Sequence, residues 1–159
     1  MFQVGDKIVH PMHGAGVVDG IVEKQINGIT REYYLLRIPI GGMVVLIPTA
    51  GSAGIGVRAV VGRQEAEQLL GELSEIRVEE IQNWNQRYRE NMLKLKSGDL
   101  RAVAGVVKGL MLREVDRGLS TGERKMLHSA KQILLSELVL AQSITYEEAE
   151  ARINGALHS

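Results

Sequence analysis

The feature that most constrains this chain is a change of hydrophobic period a little over a third of the way along it. Up to about residue 60 the apolar residues fall in short runs and loose alternations broken by glycines. After residue 63 they recur every three or four positions to the end. A period of two belongs to a half-buried strand and a period of 3.6 to an amphipathic helix. The sequence therefore predicts an α+β fold in two parts, strands first and helices second.

In the first part, Phe2 to Val9 alternates loosely, and Gly14 to Ile26 is β-branched and glycine-rich, as bulged or bent strands are. Asn27-Gly28 is a strong signal for a two-residue hairpin turn, because both residues tolerate positive φ. Strands then follow at Ile29 to Ile38 and Met43 to Pro48, with a last short one at Val57 to Val61. Four or five short strands with tight turns suggest a small closed barrel, since closure removes exposed edges. The run Met43-Val-Val-Leu-Ile-Pro48 has no polar side chain. If its alternate residues face outward, it suits an edge that pairs with a partner's strand.

Thr49-Ala-Gly-Ser-Ala-Gly-Ile-Gly56 opens a Gly/Ser-rich stretch. A linker at 56–63 then divides a domain of residues 1–55 from a helical domain of residues 64–159. Helices are predicted at 63–73 and 79–96. Asp99 is the expected N-cap of a helix burying Leu100, Val103, Val107 and Leu110. Ser120 with Glu123, and Thr145 with Glu148, are capping boxes opening the last two helices. The expected unit is an all-α bundle of about five helices.

Trp84 is the sole tryptophan, set among Asn83, Asn85, Gln86, Arg87 and Arg89. On a helix over 79–96, Ile81, Trp84, Tyr88, Met92 and Leu95 make one stripe, which reads as core. Trp84 lies at the edge of that stripe, and an edge indole beside cations is also suited to stacking on bases or entering a minor groove. Periodicity alone leaves both readings open. Net charge is zero, yet residues 81–135 hold eleven cations against five anions, while 62–80 and 136–159 are acidic. Such a +6 island is what phosphate contact requires, and also what a solvated bundle face displays. Arg124, His128 and Lys131, with Lys125 alongside, form a second cationic face.

Other chemistries find little support. The chain has no Cys, which excludes disulfides, thiolate ligands and a thiol nucleophile and fits a reducing cytoplasm. No apolar run approaches the roughly 20 residues of a membrane helix, and the N-terminus does not read as a signal peptide. His10 and His13 have no third ligand nearby, so no metal or other cofactor is expected. No nucleotide-binding or hydrolase motif is present, so no enzymatic activity and no small-molecule substrate are expected. Gly105 and Gly109 suggest close helix packing.

Val4-Gly-Asp-Lys-Ile-Val-His-Pro-Met-His-Gly-Ala-Gly-Val-Val resembles the opening of the CarD/CdnL family of bacterial transcription regulators. So do Asn83-Trp84 with Arg87-Tyr88, Asn91, Leu95 and Ser97-Gly98-Asp99, and Arg117-Gly-Leu-Ser-Thr-Gly-Glu-Arg-Lys-Met-Leu followed by Ala130-Lys-Gln-Ile-Leu. The matches run in order through nearly the whole chain. The N-terminal motif also occurs in transcription-repair coupling factors, and the helical half separates the two families. The resemblance implies a Tudor/SH3-like barrel that binds the RNA polymerase β subunit through a strand edge. It implies a helical domain that places a tryptophan in the minor groove at the upstream edge of the transcription bubble, stabilising the open promoter complex, notably at ribosomal RNA promoters, without sequence-specific readout. By position the tryptophan is Trp84, the DNA-facing cations are Arg89, Arg113, Arg124 and Lys125, and the polymerase-facing residues are Lys24, Ile26, Leu36, Leu46 and Pro48. Some members carry arginine where this chain has Leu46, which implies a more apolar contact here. The alternative is a protein-only adaptor, its barrel binding one protein and its bundle another.

Overall fold

The first sixty residues form five antiparallel strands: β1 (Lys7–His10), β2 (Gly14–Ile26), β3 (Ile29–Arg37), β4 (Val44–Pro48) and β5 (Arg58–Ala59). A computed structural model describes residues 1–157, so the last two positions of the expected 64–159 domain lie outside the described residues. The sheet order is β4-β3-β2-β1-β5, with no ladder between β4 and β5 among the described residues, so the barrel expected to be closed keeps two edge strands. Asn27 and Gly28 turn the long hairpin with φ of 54° and 78°, and Ile26 pairs with Ile29 across them. The β2–β3 register shifts between Val18 and Gly20, so Asp19 is an extra residue on one side. Such a bulge bends and twists the strand. The sheet curls around a small core of Ile8, Val18, Tyr34, Leu36, Ile38, Ile47 and Val57. β5 pairs with β1 through Val9–Arg58 and Ile8–Ala59, so the fifth strand falls within the segment 56–63 expected to be linker.

Among the described residues the second half is five α-helices: α1 (Arg63–Glu72), α2 (Trp84–Lys96), α3 (Leu100–Arg117), α4 (Thr121–Gln142) and α5 (Tyr146–Leu157). The caps do what their sequences predict. Asp99 accepts from the Arg101 amide, Ser120 Oγ from Glu123 N at 3.2 Å and Thr145 Oγ1 from Glu148 N at 3.1 Å. The helix expected over 79–96 starts five residues later. Asn83 is its N-cap, its side chain accepting from Gln86 N at 2.9 Å, and residues 76–83 are an irregular strap. Two buried cations hold that strap against the bundle. Lys108 Nζ donates to the carbonyls of Leu73, Ser74 and Ile76 at 2.7–2.9 Å, and Arg87 Nη1 donates to those of Ile81 and Gln82. Gly109 admits it, since a Cβ there would stand 2.9 Å from Val78 Cγ1. The expected close packing at Gly105 and Gly109 thus brings in the strap rather than a helix.

Helix α4 is buried on two sides, by the other helices and by the sheet. Ala130, Leu134 and Leu138 face the helical core, and Ser136 and Glu137 meet the strands. Ser136 Oγ accepts from Ala15 N at 2.8 Å. Gly14 passes so close, at φ 98°, that a Cβ would stand 2.7 Å from the Ser136 hydroxyl. Glu137, 1% exposed, takes a bidentate pair from Arg58 at 2.7 and 2.8 Å and a third bond from Val61 N at 3.0 Å. This joins the last strand to the central helix, and hence one half of the chain to the other. Removing one partner of such a pair leaves the other desolvated and uncompensated. Glu137→Ala is therefore expected to lower the unfolding free energy by about 3 kcal/mol, measured by urea denaturation. A loss below about 0.5 kcal/mol, as at an ordinary surface site, would remove the pair as the clamp between the halves.

Candidate functional site

Trp84 is the first residue of α2 and is 41% exposed. Its position is tightly defined for so exposed a side chain. The indole stacks on Tyr88, one turn on, with centroids 5.0 Å apart and planes 18° apart. Its Nε1–H donates to Ser120 Oγ at 3.0 Å. Gly122 lies beneath both rings, where a Cβ would be 3.5 Å from Trp84 and 3.7 Å from Tyr88. The ring's polar edge is thus satisfied within the protein, and part of its apolar surface faces out. A buried or inserted indole with an unpartnered N–H is costly, and this one has its partner already.

Ser120 belongs to a chain of hydrogen bonds that continues inward. Its hydroxyl donates to Glu123 Oε1 at 3.3 Å while accepting from Trp84 and from Glu123 N. Glu123, 2% exposed, takes a bidentate pair from Arg87, with Nε at 2.8 Å and Nη2 at 3.1 Å. The hydrogen bonds from Arg87 hold the Glu123 carboxyl below its usual range, against the burial that would raise it, and Arg113 and Ser120 add to the depression. Arg87 therefore ties the start of α2 to the start of α4, and Ser120 passes that order to the indole.

Five of the eleven cations in the basic island are already engaged. Arg87 and Lys108 are buried, Arg101 pairs with Glu72, Arg117 with Glu80 and Asp116, and Lys131 with Glu150. The surface field is weaker than the sequence count suggests. Arg124 and Lys125 lie exposed near the N-terminus of α4, shortly after the Ser120 and Gly122 that adjoin Trp84, and make no ion pair among the described residues. Arg89 is exposed on α2 and also unpaired. It is five residues beyond Trp84, on a different face at about 100° per residue. Arg113 does not join them on the surface. It is half-buried on α3 beside Glu123, and its Nε is buried without a hydrogen-bond acceptor.

The residues expected to meet a partner protein are ordered by strand register, because side chains directly opposite in a ladder share a face. Leu46 pairs with Leu35, Pro48 with Tyr33, Lys24 with Arg31 and Ile26 with Ile29. Leu35, Tyr33, Arg31 and Ile29 alternate along β3, so Leu46, Pro48, Lys24 and Ile26 share the outer face of the sheet. Ile26 is 52% and Leu46 38% exposed. Leu36 does not belong with them. It has the opposite parity on β3, pairs with Val18 and is wholly buried in the barrel core, so it supports the surface from within. β4 is an edge strand in the hydrogen-bonding order, ending in a proline as edges tolerate.

Sequence reasoning missed Ser120, Gly122, Glu123 and Arg87 as the support of the indole, and Arg31 and Ile29 as neighbours on the sheet face. The signals were present but local. Ser120 and Glu123 read fully as a capping box, which left no prompt for a second use. Among the described residues no group of three or more His, Asp or Glu side chains is placed to hold a metal, and no helix is long and apolar enough to cross a membrane.

Comparison with known proteins gives two family matches. Residues 2–61 match the CarD-like/TRCF RID domain, and residues 68–154 match the CarD C-terminal domain. The chain is also 34% identical over 151 residues to the putative transcription factor YdeB of Bacillus subtilis (strain 168). That match covers 95% of this chain and 99% of the relative.

Proposed function

The chain belongs to the CarD family and is a transcription regulator, and from that premise we propose that it bridges the RNA polymerase β subunit and promoter DNA. In this reading the outer face and free edge of β4 hold the polymerase. Trp84 enters the minor groove at the upstream edge of the bubble, and Arg124 and Lys125 contact the phosphates beside it without reading sequence. The observation that carries the reading is the exposed, pre-oriented indole with two unpaired cations at the start of the adjoining helix.

The mechanism is a shift of equilibrium. A protein that binds only melted, kinked DNA favours that form by mass action. An indole on an unstacked step is worth about 1–3 kcal/mol, by analogy with base–aromatic stacking. At about 1.4 kcal/mol per decade, that is roughly a five- to hundred-fold gain in open complex. Fixing the ring in advance saves the rotamer entropy that a free side chain loses on binding, about 0.5–1.5 kcal/mol. Few free cations suffice, because tethering to polymerase raises the local concentration of the DNA-facing surface.

Two measurements test the halves of this reading separately. Reversing both charges, Arg124→Glu with Lys125→Glu, is expected to shorten open-complex lifetime and to flatten its dependence on salt. An unchanged salt slope would remove both residues from the DNA face. On the other surface, Leu46→Asp is expected to abolish capture of the polymerase β subunit by the full chain with little change in melting temperature. Leu36→Ala is expected to destabilise the barrel by about 2–5 kcal/mol. Retained capture by the Leu46 variant would move the polymerase contact elsewhere and favour other partners for the sheet.

A further inference from the structure

A cleft of about 390 Å³ lies between α2, α3 and the strap, lined by residues 77–81, Arg87, Asn91, Lys94 and one side of α3 from Gly105 to Asp116. That volume is within the range of small-molecule sites. Its origin is legible in the residues. Gly105 and Gly109 give α3 no side chains there, and the strap passes Gly109 at Val78 before Arg87 takes the carbonyls of Ile81 and Gln82. The walls are apolar at Val78, Ile81, Leu110 and Leu112.

The charges in the cleft do not cancel. Arg87 is neutralised by Glu123, and Glu80 and Asp116 both face Arg117. Arg77 and Lys94 are left against Glu79, and Arg113 adds a third cation that shares the Glu123 carboxylate with Arg87. Arg87, Asn91 and Lys94 are spaced four and three apart and so share one face of α2. Arg113 lines the cleft, and among the described residues its Nε is buried with no acceptor, although a buried charged donor without a partner is costly and rare. Neither Lys94 nor Arg113 has a place in the function proposed above that explains why it lines a cavity.

We propose that this cleft binds a small amphipathic anion, whose acidic group is taken by Arg113 and Lys94 and whose apolar body lies on Val78, Ile81, Leu110 and Leu112. The shared chemistry is a sulfonate, phosphate or carboxylate on a flat apolar frame. The site is independent of the polymerase and DNA contacts. Trp84, the sole tryptophan, does not line the cleft but follows the wall residue Ile81 by three positions, so it serves as an energy-transfer donor to a bound probe.

The test uses 8-anilinonaphthalene-1-sulfonate as the probe, titrated against the full chain. Its own emission and the quenching of Trp84 by energy transfer are followed together. The expected result is saturable one-to-one binding, with the uncharged N-phenyl-1-naphthylamine bound more weakly. Arg113→Gln is expected to weaken the sulfonate about ten- to hundred-fold, the range of one lost charge-assisted hydrogen bond. Lys94→Gln, on the exposed side of α2, is expected to weaken it several-fold and decides the matter if the Arg113 variant does not fold. Arg152→Gln, on α5, controls for a general loss of positive charge. The proposal is overturned by binding that does not saturate, by unchanged affinity in both cleft variants, or by equal affinity for the uncharged probe.

Discussion

Glu123→Ala is expected to lower the unfolding free energy by about 3–5 kcal/mol, the cost of leaving the partner of a buried ion pair uncompensated. Total stability is about 5–15 kcal/mol for a domain, so this is a large fraction of what holds the chain together. The stranded group is Arg87, 8% exposed, whose Nε and Nη2 lose their acceptors while Nη1 keeps the strap carbonyls. Ser120 loses an acceptor at the same time, so the hydroxyl that orients the indole is freed. Urea denaturation reads the first effect, and the fluorescence anisotropy of the single tryptophan reads the second. Replacing both partners, Arg87→Met with Glu123→Leu, is expected to restore much of the stability, since an apolar pair removes both desolvated charges. It is not expected to restore the ordered indole.

The pH dependence follows from the direction of the shift at Glu123. Its folded carboxyl is held below the ordinary range, chiefly by Arg87. A depressed folded value contributes stability that is complete above the unfolded value, about 4.3 for a glutamate, and is lost as pH falls through the folded value. The gap between wild type and Glu123→Ala is therefore expected to be full at neutral pH and to narrow only below about pH 4. A gap that closes on raising the pH would contradict the assignment of the pair.

How much of this was legible in the sequence depends on whether the signal was local. Asn27-Gly28, Asp99, Ser120 with Glu123 and Thr145 with Glu148 each specify a turn or cap within four residues, and each is found where expected. The structure starts α2 later than the stripe implies, because Ile81 fits the spacing of Trp84, Tyr88 and Leu95 yet lies outside the helix. The nearer signal was the Asn83 cap, and it prevailed. What the sequence hides is long-range. Ser136 and Glu137 interrupt the apolar run of α4 because the sheet lies there, 76 to 121 residues away in the chain. Arg87 and Lys108 counted as surface cations because nothing nearby announces that Glu123 and three carbonyls will close around them. The resemblance puts Leu36 on the partner face, and the register of β3 turns it inward. Trp84 is half legible. Periodicity made it core, its helical edge and charged neighbours made it surface, and the structure leaves it 41% exposed with its N–H already satisfied.

On the proposed function, this indole holds promoter DNA open once polymerase has delivered it. The most direct test is open-complex lifetime on a ribosomal RNA promoter, comparing no protein, wild type and Trp84→Ala at matched occupancy of polymerase. Wild type is expected to lengthen the lifetime roughly five- to hundred-fold. Trp84→Ala, bound to polymerase as tightly, is expected to lose most of that gain. A Trp84→Ala protein that prolongs the open complex as well as wild type would overturn the proposed function.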